Sequence, residues 1–209
     1  TMLHIVEHPC IKAKLTILRD RGTPCPRFRR CVQEITGFIA CEALRKLELE
    51  EFRVETPLAE TAGWRLRDEL VLVPILRAGM GMLDALLELA PEAKVGFIGL
   101  ERDHAGKLPR EYYCKLPEPG EHSLAVLIDP MLATGNSLAG AIELLKSNGF
   151  RRILVITILS APEGKAVIES RYPEIEVYTG SLDERLDENK YIVPGLGDAG
   201  DRIFGTIAP

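Results

Sequence analysis

Apolar residues fall into helical stripes in the first part of the chain and into short continuous runs later. The first stripe covers residues 10–19. The second covers 27–49, where Val32, Ile35, Phe38, Ile39, Ala43, Leu44 and Leu47 repeat on one helical face. Ile35, Phe38 and Ile39 suit either a core or a contact between copies. Residues 52–66 are polar, punctuated by Val54 and Leu58, and read as an extended connection or a hairpin. From residue 70 the rhythm changes. Apolar runs at 70–75, 94–100, 123–128, 153–159 and 175–179 predict strands, and striped segments at 79–89, 138–149 and 163–170 predict helices. Short strands alternating with amphipathic helices predict a parallel α/β sheet in a single domain over 1–209, with ligands at the carboxyl ends of the strands. Residues 101–122 break the alternation with Asp103, Gly106, Pro109, Tyr112, Tyr113, Pro117, Pro119 and Gly120. So long an irregular insert between core strands predicts a hairpin flap over the site.

The densest chemistry lies in Leu124-Ala-Val-Leu-Ile128 and the Asp129-Pro-Met-Leu-Ala-Thr-Gly-Asn-Ser137 that follows it. A buried strand ends in a carboxylate, a turn of small and hydroxyl-bearing residues follows, and a helix begins. The first N–H groups of a helix lack intrahelical partners and sit at its positive dipole end, so this order of parts suits an anion. Gly135 lets the backbone approach an oxygen closely, and Thr134 and Ser137 add hydroxyl donors. Asp129 repels phosphate and is better suited to a sugar hydroxyl, which favours a phosphorylated sugar over bare phosphate. An ordinary strand-to-helix turn is the competing reading. Neither a Walker Gly-Lys-Ser/Thr nor a dinucleotide glycine fingerprint occurs at this turn.

Two further segments share the pattern. Val73-Pro-Ile-Leu-Arg-Ala-Gly-Met-Gly81 sets Arg77 at the tip of a glycine-bearing turn after a strand, and Arg102 ends the next strand. A planar guanidinium suits a diphosphate through paired charged hydrogen bonds. Near the end, Tyr191-Ile-Val-Pro-Gly-Leu-Gly-Asp-Ala-Gly-Asp201 is dense in glycine. Gly195, Gly197 and Gly200 can open backbone groups to a flat ligand.

Composition narrows the field. The net charge of −5 and pI near 5.5 argue against nucleic acid as the main partner. No apolar run is long enough to cross a bilayer, and the polar first nine residues do not resemble a signal peptide. Five cysteines, an odd number without a Cys-x-x-Cys, predict free thiols in a reducing cytoplasm rather than disulfides or zinc.

Together these segments resemble uracil phosphoribosyltransferase over nearly the whole chain, from His8-Pro9 to Thr206. The closing Pro194-Gly-Leu-Gly-Asp-Ala-Gly-Asp-Arg-Ile-Phe-Gly-Thr206 is the most specific part. The resemblance implies a parallel-sheet, Rossmann-like phosphoribosyltransferase core with a flap hairpin (101–122) and a C-terminal base-binding segment (190–206). It implies a pentosyl-transferring glycosyltransferase of pyrimidine salvage that makes UMP and diphosphate from uracil and 5-phosphoribosyl 1-diphosphate (PRPP). Asp129, Pro130, Met131, Leu132, Ala133, Thr134, Gly135, Asn136 and Ser137 would hold PRPP, with Ala133 to Ser137 around the 5′-phosphate and Asp129 on the ribose. Arg77 and Arg102 would act on the diphosphate, Asp198 would also reach PRPP, and these three form the implied catalytic set. Ile192, Gly197, Asp198 and Ala199 would frame uracil through backbone groups. Mg²⁺ would be the cofactor, held mainly through PRPP. GTP enters as a candidate activator, and a homo-oligomer, dimer or tetramer, is expected.

The chain departs from the family pattern in places. Asp129-Pro130 stands where wider phosphoribosyltransferases carry two adjacent acids, which fits the uracil branch and argues against purine or orotate as the base. Glu101 and His104 at the start of the flap, Asn136 in the turn and the Ile207-Ala-Pro209 tail also differ from the usual pattern. A pyrimidine-operon RNA-binding regulator with residual transferase activity is the alternative. It would need a basic face, which the charge balance disfavours.

Overall fold

The computed structural model of the chain describes residues 3–102 and 109–206, without the side chain of Arg102. The chain opens with β1 (Leu3–Ile5), α1 (Pro9–Arg19) and α2 (Cys25–Ala43), then β2 (Leu49–Glu55) and β3 (Glu60–Leu66). The alternating part runs β4 (Glu69–Leu76), α3 (Met80–Leu89), β5 (Lys94–Val95), β6 (Phe97–Arg102), β7 (Pro109–Lys115) and β8 (Ser123–Ile128). It continues through β9 (Met131–Leu132), α4 (Asn136–Ser147), β10 (Arg152–Ile156), β11 (Leu159–Ser160), α5 (Pro162–Arg171) and β12 (Glu176–Thr179). Short strands β13 (Ser181–Leu182), β14 (Arg185–Leu186) and β15 (Ile192–Val193) lead to α6 (Ala199–Phe204).

The main sheet has the order β1-β12-β10-β8-β4-β6-β7, with β5 also on β4; β7 is antiparallel to β6 and the other pairs are parallel. Its central strands are apolar throughout because both faces are covered. Side chains alternate between two cores. Leu70, Leu72, Val126, Ile128, Leu154 and Ile156 pack beneath α1, α2 and α3. Val71, Val73, Ala125, Leu127, Ile153 and Val155 pack beneath α4 and α5. Ile35 and Ile39 are fully buried in the first core, and Phe38 is half-buried against the His8 ring at 4.5 Å, so this helix face serves the core.

The structure corrects some of the expected boundaries. The second helix ends at Ala43 in a 3₁₀ turn (Leu44–Lys46), not at residue 49. Leu44 and Leu47 still reach the core, so their helical spacing carried the pattern past the end of the helix. The expected strand 153–159 is two strands. The chain breaks at Thr157 and Ile158, and β11 continues as the middle of a small parallel sheet between β9 and β13. β1, at three residues, is too short to stand out in the sequence. Residues 52–66 form part of the β2–β3 hairpin, which among the described residues pairs only with itself and exposes Phe52, Leu58, Trp64 and Leu66. The 101–122 insert supplies the end of β6 and all of β7 as antiparallel arms. Its remaining flap residues 103–108, and the tail 207–209, lie outside the described residues.

One ion pair joins the hairpin base to the sheet. The Asp68 carboxylate, with no side-chain exposure, meets Arg152 and accepts from the Glu48 N–H at 2.8 Å. Burial would raise Asp68, but these partners outweigh it and hold the carboxyl below its ordinary 3.8. Asp68→Ala is expected to cost roughly 2–3 kcal/mol at neutral pH, because it strands the Glu48 N–H and the guanidinium. A group with a lowered folded value stabilises fully above its unfolded value and stops doing so as pH falls through the folded one. Urea denaturation should therefore find the deficit constant from pH 7 to about 4 and shrinking below that.

Candidate active site

The strand order reverses between β4 and β8: β4 leads on to β6 on one side, and β8 to β10 on the other. The loops leaving these two strands diverge and open a crevice at the carboxyl edge of the sheet. The loop after β4 is seated directly on the end of β8, since a Cβ at Gly79 would lie 2.5 Å from the Ile128 carbonyl oxygen.

Asp129 follows β8, and its Oδ1 accepts from the Met131 N–H at 3.3 Å. The Pro130 carbonyl accepts from the N–H groups of Ile158 and Leu159 at 2.9 and 3.0 Å, which fixes the turn against the loop after β10. Thr134 Oγ1 accepts from the Asn136 N–H at 3.3 Å. Gly135, at φ +82°, turns the chain into α4, where its carbonyl accepts from Ala139 at 2.8 Å. The N-cap Gly135 has no side chain to offer α4, and the helix start, Ser137 and Leu138, lines the crevice.

The C-terminal loop forms the facing wall. Asp198 is the N-cap of α6 and accepts from the Asp201 N–H at 2.9 Å. Arg77 holds the outer side of this helix. Its Nη2 donates to Asp201 Oδ1 at 3.3 Å, its Nη1 donates to Thr206 Oγ1 at 3.5 Å, and its guanidinium lies 5.9 Å from the Phe204 ring centre.

The two walls enclose a cleft of about 160 Å³. Of the residues singled out in the sequence, Asp129, Met131, Leu132, Ala133, Thr134, Gly135 and Ser137 line one side; Ile192, Gly197, Asp198 and Ala199 line the other. Pro130 and Asn136 are not in the lining: the first braces the turn from behind, and the second begins the helix. Arg77 stands beside the cleft, with Ala78 in its wall. Arg102 ends β6, with its side chain outside the described residues. Five lining residues outside the implied set are Ala78, Leu138, Lys190, Tyr191 and Gly200. Lys190 is the one cationic side chain among the described lining residues, and at φ +67° it is the one described non-glycine residue in the left-handed region. Lys190 falls at the first position of the expected base-binding segment 190–206, but a lysine between loop residues reads as a solvated charge and is not singled out.

A parallel sheet covered on both faces, with a strand, turn and helix start at its order reversal, is a doubly wound α/β arrangement. The structure superimposes on a hypoxanthine phosphoribosyltransferase of Staphylococcus aureus with a TM-score of 0.52 at 18% identity, covering 80% of this chain and 85% of that one. A solved protein of Aquifex aeolicus matches far more closely, with a TM-score of 0.94 at 36% identity over 100% of both chains. The uracil phosphoribosyltransferase family model matches residues 5–206. Proteins named uracil phosphoribosyltransferase from Malacoplasma penetrans and Listeria welshimeri are 48% and 49% identical, over 98% of this chain and 100% and 98% of theirs. The chain belongs to the uracil phosphoribosyltransferase family.

Gly135 and Lys190, two of the left-handed residues in these walls, make opposite predictions. Gly135→Ala forces a Cβ into that region, 3.1 Å from the Gly164 carbonyl oxygen, and is expected to cost about 1–2 kcal/mol. Lys190→Gly relieves the same conformation and is expected to stabilise by up to about 1 kcal/mol, after the greater chain entropy of glycine. Thermal unfolding of the two variants should move Tm in opposite directions, by roughly 2–4 °C per kcal/mol.

Proposed function

We propose that the protein transfers the 5-phosphoribosyl group of PRPP to N1 of uracil, giving UMP and diphosphate. One observation carries the reading: the phosphate-type turn after β8 and the glycine loop before α6 line the same cleft. The turn offers N–H groups and the Thr134 and Ser137 hydroxyls to a 5′-phosphate, and Asp129 offers an acceptor to the ribose. The loop offers main-chain groups of Ile192, Gly197 and Ala199 to O2, N3–H and O4 of uracil. Cytosine presents a donor where O4 stands, leaving a main-chain group unpaired, so the site discriminates against it.

The chemistry asks for charge control at the leaving diphosphate and for alignment of uracil N1 with the anomeric carbon. Breaking the bond to diphosphate leaves an oxocarbenium-like ribose, and a positioned base then closes the new bond on the opposite face. Arg77 is suited to the diphosphate. Its pairing with Asp201 is 58% exposed on the arginine side and long, so it is weak enough to exchange for phosphate oxygens. Arg102, at the end of β6, would add charge from the neighbouring strand. Asp129 and Asp198 both line the cleft as hard oxygen donors, the kind of ligand Mg²⁺ takes alongside substrate phosphates. When bound there, Mg²⁺ would neutralise the diphosphate charge.

Five free cysteines fit a reducing cytoplasm. Among the described residues no helix is long and apolar enough to cross a membrane. The β2–β3 hairpin is the candidate contact of a homo-oligomer, since a two-stranded hairpin that buries little is marginal alone. The family match gives no support to the RNA-binding alternative.

The test is release of diphosphate and formation of the matching nucleoside monophosphate from PRPP with uracil, cytosine, hypoxanthine or orotate, each with and without GTP. Turnover of uracil alone is expected, and no turnover of uracil would sink the reading. Arg77→Ala is expected to lower kcat/KM for PRPP by roughly 10²-fold while keeping the fold, by analogy with loss of one transition-state donor. Near-normal kinetics would remove Arg77 from the diphosphate site.

A further inference from the structure

The base-side loop has no regular structure of its own between β15 and α6, yet its shape must be held if main-chain atoms are to read a base. Its anchor is at the other end of the chain. Asp183, whose side chain is 2% exposed, is the centre of a closed network. Arg19 at the end of α1 grips both carboxylate oxygens at 2.7 Å, the Ser181 hydroxyl donates to Oδ1 at 2.9 Å, and the Gly195 N–H donates to Oδ2 at 2.9 Å. The Arg19 Nη1 also donates to the Gly195 carbonyl at 2.9 Å. Both main-chain groups of one loop residue are thus fixed by one ion pair whose carboxylate is buried. Burial would raise the Asp183 carboxyl, but Arg19, Ser181 and the Gly195 N–H outweigh it and hold it below its ordinary value.

A second arginine repeats the arrangement one residue further on. Arg202 donates to the Leu196 carbonyl at 2.8 Å and to the carbonyls of Leu18 and Asp20 at the end of α1. Its guanidinium sits 4.3 Å from the Phe28 ring centre. The last carbonyls of a helix lack intrahelical partners and carry its negative dipole end, so a cation there satisfies both needs. Two consecutive loop residues, Gly195 and Leu196, are therefore tied to the carboxyl end of α1, and Gly197, Asp198 and Ala199 of the cleft wall come next.

We propose that Asp183 and Arg19 are positioning residues for the base: their ion pair sets the height and tilt of the 195–199 wall through Gly195, and so governs uracil affinity without touching uracil. This rests on the reading that the loop binds the base. The pair lies outside the cleft lining, so PRPP contacts on the facing turn should be unaffected.

Steady-state kinetics with each substrate varied would test this on wild type, Asp183→Asn, Arg19→Lys and Ser181→Ala, with Gly197→Val as a control inside the loop. Asp183→Asn keeps the shape but breaks the charged fork. It is expected to raise KM for uracil roughly tenfold or more while KM for PRPP stays within about twofold. Arg19→Lys keeps the charge and loses the fork, and should fall between wild type and Asp183→Asn. Ser181→Ala removes only the hydroxyl donor, should raise the uracil KM slightly, and carries the test with Arg19→Lys if Asp183→Asn does not fold. Equal rises in both KM values, or a lower Tm with unchanged KM values, would make the pair merely structural and overturn the proposal. If Gly197→Val leaves the uracil KM untouched, the loop is not the base site, and that reading falls together with the proposal. If Gly197→Val raises it and the pair variants do not, only the proposal falls.

Discussion

The parallel pairing of β4 with β8, continuous from Glu69↔Ser123 to Pro74↔Ile128, is the constraint on which the rest depends. It places two strand ends side by side, and because their onward connections depart in opposite directions, no crossover closes the gap between them. Both faces of the sheet are covered, so its carboxyl edge is where polar chemistry can gather. The alternation of side chains into two cores makes this pairing hard to shift. A slip of one residue would exchange every core side chain between the two faces.

What gathers at that edge is mostly main chain. The turn after β8 is held by the Pro130 carbonyl and by the left-handed Gly135, and the opposite wall by two arginines that tie it to the end of α1, Arg19 from α1 itself and Arg202 from α6. Formal charge inside the cleft is sparse, with two carboxylates and one lysine among the described lining residues. Such a site recognises by the direction of dipoles, which requires a rigid backbone. The hydrogen-bond network behind the walls therefore matters as much as the walls themselves.

The doubly covered strands were legible because uninterrupted apolar runs such as 70–75 and 123–128 belong to buried parallel sheets. The turn between β8 and α4 was legible because strand, turn and helix follow one another in the chain. What escaped depends on distant partners. The break between β10 and β11 is made by hydrogen bonds from Ile158 and Leu159 to Pro130, while the apolar run itself continues through Ile158. Arg19 and Asp183 are 164 residues apart, and nothing local pairs them. Lys190 carries no periodicity, and its presence in the cleft follows from a backbone angle rather than from its charge.

The β2–β3 hairpin has a practical consequence. It carries Trp64, the chain's single tryptophan, with 60% of its surface exposed, on an element that among the described residues pairs only with itself. Trp64 is also absent from the described lining of the cleft. The protein's intrinsic tryptophan emission is therefore a probe of the hairpin's surroundings, and nearly blind to substrate occupancy and to the order of the two cores. Emission that shifts to the blue with protein concentration would report another surface covering the hairpin, giving a label-free readout of self-association separate from catalysis.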